Sequence, residues 1–530
     1  MSNILETSVV WRLVCLFLTS WQNSNLRSLV QRLSASAHFS VTGRVLSAIF
    51  GCSAAMTVHS RCRRLLSQVN LALWHLGRHL MAALHGSLLY RVYRAIFTVG
   101  RESKCLGWLF RSGMTGILLV SIGLYAILDY FLRDVFAVPV LSSVWDECLM
   151  LLAVLWVIYR RMFNGRPILS RVSPLDPIVF LFVAIGLALL FAAAPFFSIG
   201  VSGYRATVQY MLWFFLVTRL LRNDRDFTLL YVTLVTAAFL IALHGIYQFI
   251  VAVPIPDKWV ADAEGSVRTR VFSIFGSPNI MGDFMVLFAP MAAGLAYWCR
   301  DMRAKLLCWF VTICMGMACL FTMSRAAWGA MAVAVLVFAL LVDRRLIALM
   351  CVALLVALCI PFVSSRLGFL LTPEFQAANN NGGRGSRWDI ALTYLALDPV
   401  FGFGLGMFGG AVAMQHQIYK WVSYFYVDNY YLKILVEMGW IGFSCYLFLL
   451  AALLFNGVRA CYRTSLEPKE TSPLPLCAGM LSGMCGVLFH CYFENIFEEP
   501  YMMAYFWTMA AMIIYLGFYR RRPRQAVKAA

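Results

Sequence analysis

The sequence predicts an all-α fold: a polytopic membrane helical bundle of about 12 transmembrane helices, with both termini cytoplasmic and a long extracytoplasmic loop before the tenth helix. Three observations predict it. The 530 residues are 61% hydrophobic and 13% charged, with a mean hydropathy of +0.76, whereas soluble chains run at about 45–50% apolar and about 25% charged. Twelve apolar stretches approach or exceed the ~20 residues that cross a bilayer as a helix. Lys and Arg gather in alternate connections, as cytoplasmic loops do. Disordered, fibrous and small disulfide-rich classes are excluded by the same composition.

Each stretch is justified by its apolar length and by the basic cluster that follows every second one. Stretches 114–132 and 147–160, the latter the shortest, precede Arg160, Arg161, Arg166 and Arg171. Stretches 176–196 and 205–222 run to Arg219, Arg222 and Arg225; 227–252 and 276–298 precede Arg300, Arg303 and Lys305. Then come 304–322 and 326–342, closed by Arg344 and Arg345, and 346–364 and 429–456, closed by Arg459, Arg463 and Lys469. The last pair, 474–492 and 501–519, ends in Arg520 and the basic tail 521–530. These connections and the tail hold 20 basic residues, against 10 in the much longer loops opposite. An even helix count and two cytoplasmic ends follow.

Residues 1–112 form a separate basic region, carrying 13 Lys and Arg against Glu6 and Glu102. Segments such as Val69 to Phe97, with Arg78, Arg91 and Arg94 among Leu, Trp and Tyr, read either as basic amphipathic helix on an anionic leaflet or as a cytoplasmic extension. The apolar run 11–19 is too short to span, and no small-residue cleavage pattern follows it, so a removed signal peptide is not expected. Residues 113–520 are the membrane domain, with the extracytoplasmic loop at 365–427. The net charge of +19 is assigned to membrane lipid and not to nucleic acid. The 16 cysteines lie mostly in apolar or basic segments and read as reduced packing residues.

Charges deep in a bilayer default to function. His244, Lys433 and Glu437 are the three such groups the pattern singles out. Lys433 and Glu437 stand i,i+4 and can pair with each other; His244 reads as a hydrogen-bonded core residue. The outer side carries more chemistry, in four segments: 268–279, with Arg268, Arg270 and Asn279; Ser324-Arg325; 382–388, with Arg384, Arg387 and Trp388, followed by Pro399-Val-Phe-Gly402-Phe-Gly404; and Val427-Asp428-Asn429. A set of guanidinium groups at headgroup level suits a diphosphate, because the planar fork matches phosphate oxygens. Contact with phospholipid headgroups or with Asp257, Asp262 and Glu264 is the plainer alternative. Asp428 can serve as a general base beside such a set. It is equally suited to cap the tenth helix. Glu494, Glu498, Glu499 and His416 are further outer candidates. Phosphate-binding glycine loops, dinucleotide fingerprints, zinc motifs and paired Cys-x-x-Cys are absent from the sequence, so neither a cofactor nor a metal is expected.

In this order, the segments resemble the O-antigen ligase and lipid-linked polysaccharide polymerase superfamily of bacterial membrane proteins, most strongly over 268–450. FGSPNIMGDFMVLFAPMAAGL is similar to the family's Asn-Pro-Asn opening of a helix, and MSRAAWGAMAVAVLVF to its Ser-Arg helix. RGSRWDIALTYLALDPVFGFGLGMF resembles its Arg-x-x-x-Trp followed by Pro-x-x-Gly-x-Gly, and VDNYYLKILVEMGWIGF its segment ending Glu-x-Gly-x-x-Gly. The resemblance implies a multi-pass protein of the bacterial plasma (inner) membrane that performs metal-independent glycosyl transfer. The implied donor is an undecaprenyl-diphosphate-linked glycan and the implied acceptor a hydroxyl of a glycan or glycolipid. It also implies Arg268 or Arg270, Arg325 and Arg384 as diphosphate contacts, with Arg387 beside them. Asn279, Trp388 and Asn429 would support the site. Ligases of the family usually carry His where this chain has Asp428, which makes a repeat-unit polymerase, or a ligase for another surface glycan, as well supported as transfer to lipopolysaccharide. Residues 1–112 lack a counterpart in the family pattern. Two readings from other classes remain: a transporter or flippase of lipid-linked glycan, which the Lys433–Glu437 pair permits, and a scaffold of an envelope-glycan assembly complex docked through the basic region.

Overall fold

Membrane helices satisfy their own backbones, so their partners are chosen by close packing and by the few polar groups left over. The computed structural model describes residues 68, 71–72, 74–79, 86–103, 107–136, 139–163, 172–254, 269–368, 372–380, 382–417 and 424–520. The chain divides into two units, 1–76 and 77–530, and the account below concerns the second. The chain is all-α, with 79% helix and no strand among the described residues.

The principal helices are α1 (Leu88–Glu102), α2 (Met114–Gly123), α3 (Tyr125–Tyr130), α4 (Pro139–Phe163), α5 (Asp176–Ala193), α6 (Phe197–Val208), α7 (Leu212–Leu220) and α8 (Asp224–Ile250). They continue with α9 (Pro278–Trp298), α10 (Met302–Phe321), α11 (Arg325–Leu341), α12 (Arg345–Cys359), α13 (Arg384–Leu395), α14 (Tyr430–Ser465), α15 (Leu474–His490) and α16 (Pro500–Ile514). Every apolar stretch identified in the sequence falls on a helix or on a broken pair. Among the described residues, six are long and apolar enough to cross a membrane: α5, α8, α9, α10, α14 and α16 with its π-helical end. The α2–α3 pair, bent by 73°, makes a seventh if it is one span. The protein is therefore a multi-pass helical membrane protein.

Starts of these helices follow from local capping. Asn223, Ser277, Asp301, Ser324 and Asn429 each accept a backbone N–H three residues on, opening α8, α9, α10, α11 and α14, which satisfies one of the donors a helix start leaves over. Several basic connection residues have structural partners: Arg160 is buried and donates to Thr115 and to the carbonyl of Leu220, and Arg219 pairs with Asp176 at 3.1 Å.

The core centres on α9 and α15. Their backbones meet at glycines: a Cβ at Gly479 would lie 2.5 Å from the Pro290 carbonyl, and one at Gly483 would meet that of Leu287. Small residues at i and i+4 permit this approach. Two departures from the sequence reading lie here. Asp283 on α9 and His490 on α15 are fully buried and joined, Oδ1 to Nδ1, at 2.9 Å, so His244, Lys433 and Glu437 are not the only deep ionisable groups. Asp146 is a further one, accepting from Tyr210 at 2.7 Å and Tyr125 at 3.2 Å. His244 makes the hydrogen bond read for it, its Nδ1 sharing one with Ser273 Oγ at 2.9 Å, but it stands on the exposed side of α8 and not in the core, because its helix turns Ile241, Ala242 and Gly245 inward instead. The described cysteines are free.

Candidate active site

The long loop is built of short helices, Pro373–Asn380, α13 and Ala411–His416, joined by a glycine-rich turn. That turn is seated in a break of α14. Gly439 stands at φ +61 inside α14, and the interruption frees the carbonyls of Val436 and Glu437. They accept from Phe403 N at 2.7 Å and Gly404 N at 3.2 Å, while Trp440 N donates to Pro399 O at 2.9 Å. The backbones approach so closely that a Cβ at Gly402 would lie 2.6 Å from the Glu437 carbonyl, and one at Gly439 would meet that of Val400. The Pro-x-x-Gly-x-Gly and Glu-x-Gly motifs are therefore two halves of one joint. Gly439→Ala is expected to cost about 1–3 kcal/mol for the left-handed backbone alone, and more from the overlap. Thermal unfolding in detergent measures this, and an unchanged midpoint would mean that the break can move elsewhere.

Three charges reinforce the joint from beneath. Lys433 Nζ lies 2.9 Å from Glu437 Oε2 and 3.4 Å from Glu498 Oε1. Glu437 Oε1 also accepts from Phe408 N at 3.3 Å, and Glu498 Oε2 from Ala411 N at 3.2 Å. The Lys433–Glu437 pairing expected from spacing is present, and Glu498 is the partner that spacing does not reveal. Burial and the Glu437 charge push Glu498 up to about 7 against the pull of Lys433.

Above this frame, the segment 424–429 is pinned on both sides. Val427 N donates to Gly409 O at 3.2 Å, and Tyr430 N to Cys491 O at 2.8 Å. Asn429, not Asp428, is the cap of α14, accepting from Leu432 N at 3.0 Å. Asp428 is thus released from the capping role the sequence allowed it, and its backbone is held left-handed at φ +49. The first turn of α13 faces it: Arg387 Nη1 donates to Asp428 Oδ2 at 2.8 Å, and Arg384 Nε lies 4.0 Å from the same oxygen. Arg384 Nε is buried and makes no hydrogen bond. Burial raises the Asp428 carboxyl to about 6; the Glu494 charge adds to the rise, and Arg384 and Arg387 oppose it.

Glu494 connects this centre to the other arginine segment. Asn279 Nδ2 donates to Glu494 Oε2 at 2.6 Å, and Asn279 Oδ1 accepts from Arg270 at 3.4 Å. Arg270 also donates to Thr322 O at 3.2 Å, and Val271 N to Phe321 O at 3.1 Å, which ties its loop to the turn before half-buried Arg325. One rung deeper, Asp283 and His490 repeat the Asn279–Glu494 link at a spacing of four residues on each partner. The structure thus gathers Arg384, Arg387, Trp388, Asp428 and Asn429 at one point; Glu494, whose charge acts on Asp428, holds Asn279, which in turn accepts from Arg270. Arg268 lies outside the described residues.

Trp388 closes the site toward an apolar groove. Its Nε1 donates to Val427 O at 3.1 Å, and its ring meets Tyr492 edge-on at 5.2 Å. With Leu392, Leu435, Phe443 and Tyr492 it lines an open groove of about 260 Å³ beside Asn429. The site therefore joins a cationic rim, a carboxylate with a raised pKa, and an apolar trough.

No curated protein matched the chain. A family model described as O-Antigen ligase matches residues 310–447, a stretch that runs from α10 through Arg325, α13 and Asp428 to the joint at Gly439. That match supports the O-antigen ligase superfamily for this multi-pass membrane chain.

Proposed function

We propose that the protein is a membrane glycosyltransferase of the O-antigen ligase or polymerase type, working at the outer face of the bacterial plasma membrane. On this reading the chain crosses the membrane 12 times with both ends cytoplasmic, and the loop carrying α13 faces outward. The donor is an undecaprenyl-diphosphate-linked glycan, and the acceptor a hydroxyl of a second glycan or a glycolipid. The observation that carries the proposal is the pairing of Asp428 with the α13 arginines beside an apolar groove. A lipid diphosphate needs cations for its head and a trough for its tail.

The chemistry follows from the residues. The acceptor hydroxyl attacks the anomeric carbon and gives its proton to Asp428; the bond from that carbon to the diphosphate oxygen breaks, and the lipid diphosphate leaves with the electron pair. Arg384, Arg387, Arg270 and Arg325 are the groups proposed to take up its charge, which places positive charge at the leaving group without calling for a metal ion. Arg387 donates to Asp428 at 2.8 Å. A phosphate that draws this guanidinium away removes a stabilising partner from the carboxylate and makes it a stronger base once donor is bound.

Arg384→Ala is expected to lower transfer about 10²–10³-fold, the usual loss when one charge-stabilising donor is removed, with the protein still inserted and folded. The assay uses full-length protein in detergent with an undecaprenyl-diphosphate oligosaccharide, following released lipid diphosphate and product length. Lengthened glycan marks a polymerase and a capped acceptor marks a ligase. Full activity in the variant would remove Arg384 from the site. Movement of labelled lipid-linked sugar between leaflets without diphosphate release would establish a transporter instead.

A further inference from the structure

Helix α1 presents three faces. Around a helix advancing 100° per residue, Phe97 and Gly100 point inward, where the Phe97 and Phe110 rings meet edge-on at 5.3 Å and a Cβ at Gly100 would press on Phe110. A second face carries Arg91, Arg94, Thr98 and Arg101. The third carries Leu88, Val92, Ile96 and Val99, exposed by 76%, 48%, 54% and 69%. These four aliphatic residues recur at i, i+4, i+8 and i+11 and form one continuous stripe along a helix capped by Ser87. Left in water, such a stripe is costly.

Its position identifies what covers it. Arg101 Nε donates to Phe110 O at 3.4 Å, and Gly107 N to Ser103 O at 2.8 Å, so α1 is fastened to the short helix Gly107–Phe110 that leads straight into α2, the first limb of the bent membrane pair. A helix held at the mouth of a membrane limb lies at headgroup depth. Its charge is basic, with Glu102 as its one acid, and the surrounding residues 1–112 carry a net +11.

We propose that α1 lies in the plane of an anionic phospholipid leaflet, its aliphatic stripe sunk into the headgroup boundary and Arg91, Arg94 and Arg101 on lipid phosphates. This assigns the basic region a membrane-docking surface, and it does not depend on the transfer chemistry proposed above.

The test uses the full-length protein in nanodiscs of phosphatidylcholine, with or without phosphatidylglycerol carrying a photoreactive acyl chain. Amide exchange across residues 88–102 should slow when the anionic lipid is present, and lipid adducts should map to that segment. Each of Arg91→Gln, Arg94→Gln and Arg101→Gln should lower the protection roughly fivefold at low salt, with less effect at high salt. Ile96→Asp should abolish the adducts while the three arginines remain. Protection equal in detergent, neutral and anionic nanodiscs, without adducts, would overturn the proposal in favour of a protein segment covering the stripe. Fast exchange under all conditions would overturn it as well.

Discussion

Asp428→Asn is expected to lower glycan transfer about 10²–10⁴-fold, the range a positioned general base contributes, without unfolding the protein. Asparagine keeps the shape of the side chain and accepts the left-handed backbone, and its oxygen can still receive the Arg387 hydrogen bond. Stability should move the other way from activity. The folded protein raises this carboxyl from 3.8 to about 6, so the proton is held more tightly in the folded state than in the unfolded one. Ionisation between those values therefore costs stability as pH rises. The neutral variant escapes that cost, and its stability relative to wild type should be greatest above pH 6 and vanish below the unfolded value. In the wild type, kcat/KM should climb with pH through a midpoint near 6 and then level. Glu494→Gln removes a like charge and should shift the limb to lower pH. Arg387→Gln removes an opposite charge and should shift it to higher pH. A limb insensitive to both would assign the titration to another group.

Lys433→Met should be the most damaging single change to the fold, at about 3–5 kcal/mol, because it strands buried carboxylates that shared one cation. Glu437 is buried and Glu498 nearly so, and both also hold backbone amides of the glycine-rich turn. The turn should loosen with them. Thermal unfolding in detergent reads the loss, and Glu437→Gln added to Lys433→Met should restore part of it. If Lys433→Met instead kept its thermal midpoint and abolished movement of lipid-linked sugar, the pair would belong to a transport path.

The fold was legible wherever a single segment determines its own structure. Apolar length placed the helices, whose starts at Ser277 and Ser324 the structure shows to be set by capping. The bend after Gly123 and the break at Gly439 were not, because a glycine in an apolar run reads alike whether it kinks a helix or packs against one. In the site, Arg384, Trp388, Asp428 and Asn429 were all named from local pattern, and they meet. Local pattern failed on division of labour: Asn429 caps the helix that Asp428 was equally fit to cap. It failed entirely on partners distant in the chain. Glu494 lies 215 residues from Asn279 and was one of several outer carboxylates until α9 and α15 set their register. Asp283 and His490 went unnoticed as deep groups for the same reason, since each stands alone in its own helix. The glycines of the Pro-x-x-Gly-x-Gly segment serve backbone contact with the break in α14, and under the proposed reading they leave the diphosphate to the arginines.

The backbone at position 428 limits which chemistries the site can adopt by substitution. A residue fixed at φ +49 between two pinned neighbours excludes proline and disfavours every β-branched side chain, and it favours Gly, Asn, Asp and His. Of these four, only Asp and His exchange a proton in the range where cells operate once the surroundings have tuned them. The local conformation thus reduces twenty possible residues to a choice between two bases. Histidine is the one usual among the ligases this sequence resembles, and aspartate the one found here. Asp428→His is accordingly the proton-exchanging substitution that the backbone at this position favours, and a selection for restored transfer starting from Asp428→Asn should return those two residues and few others.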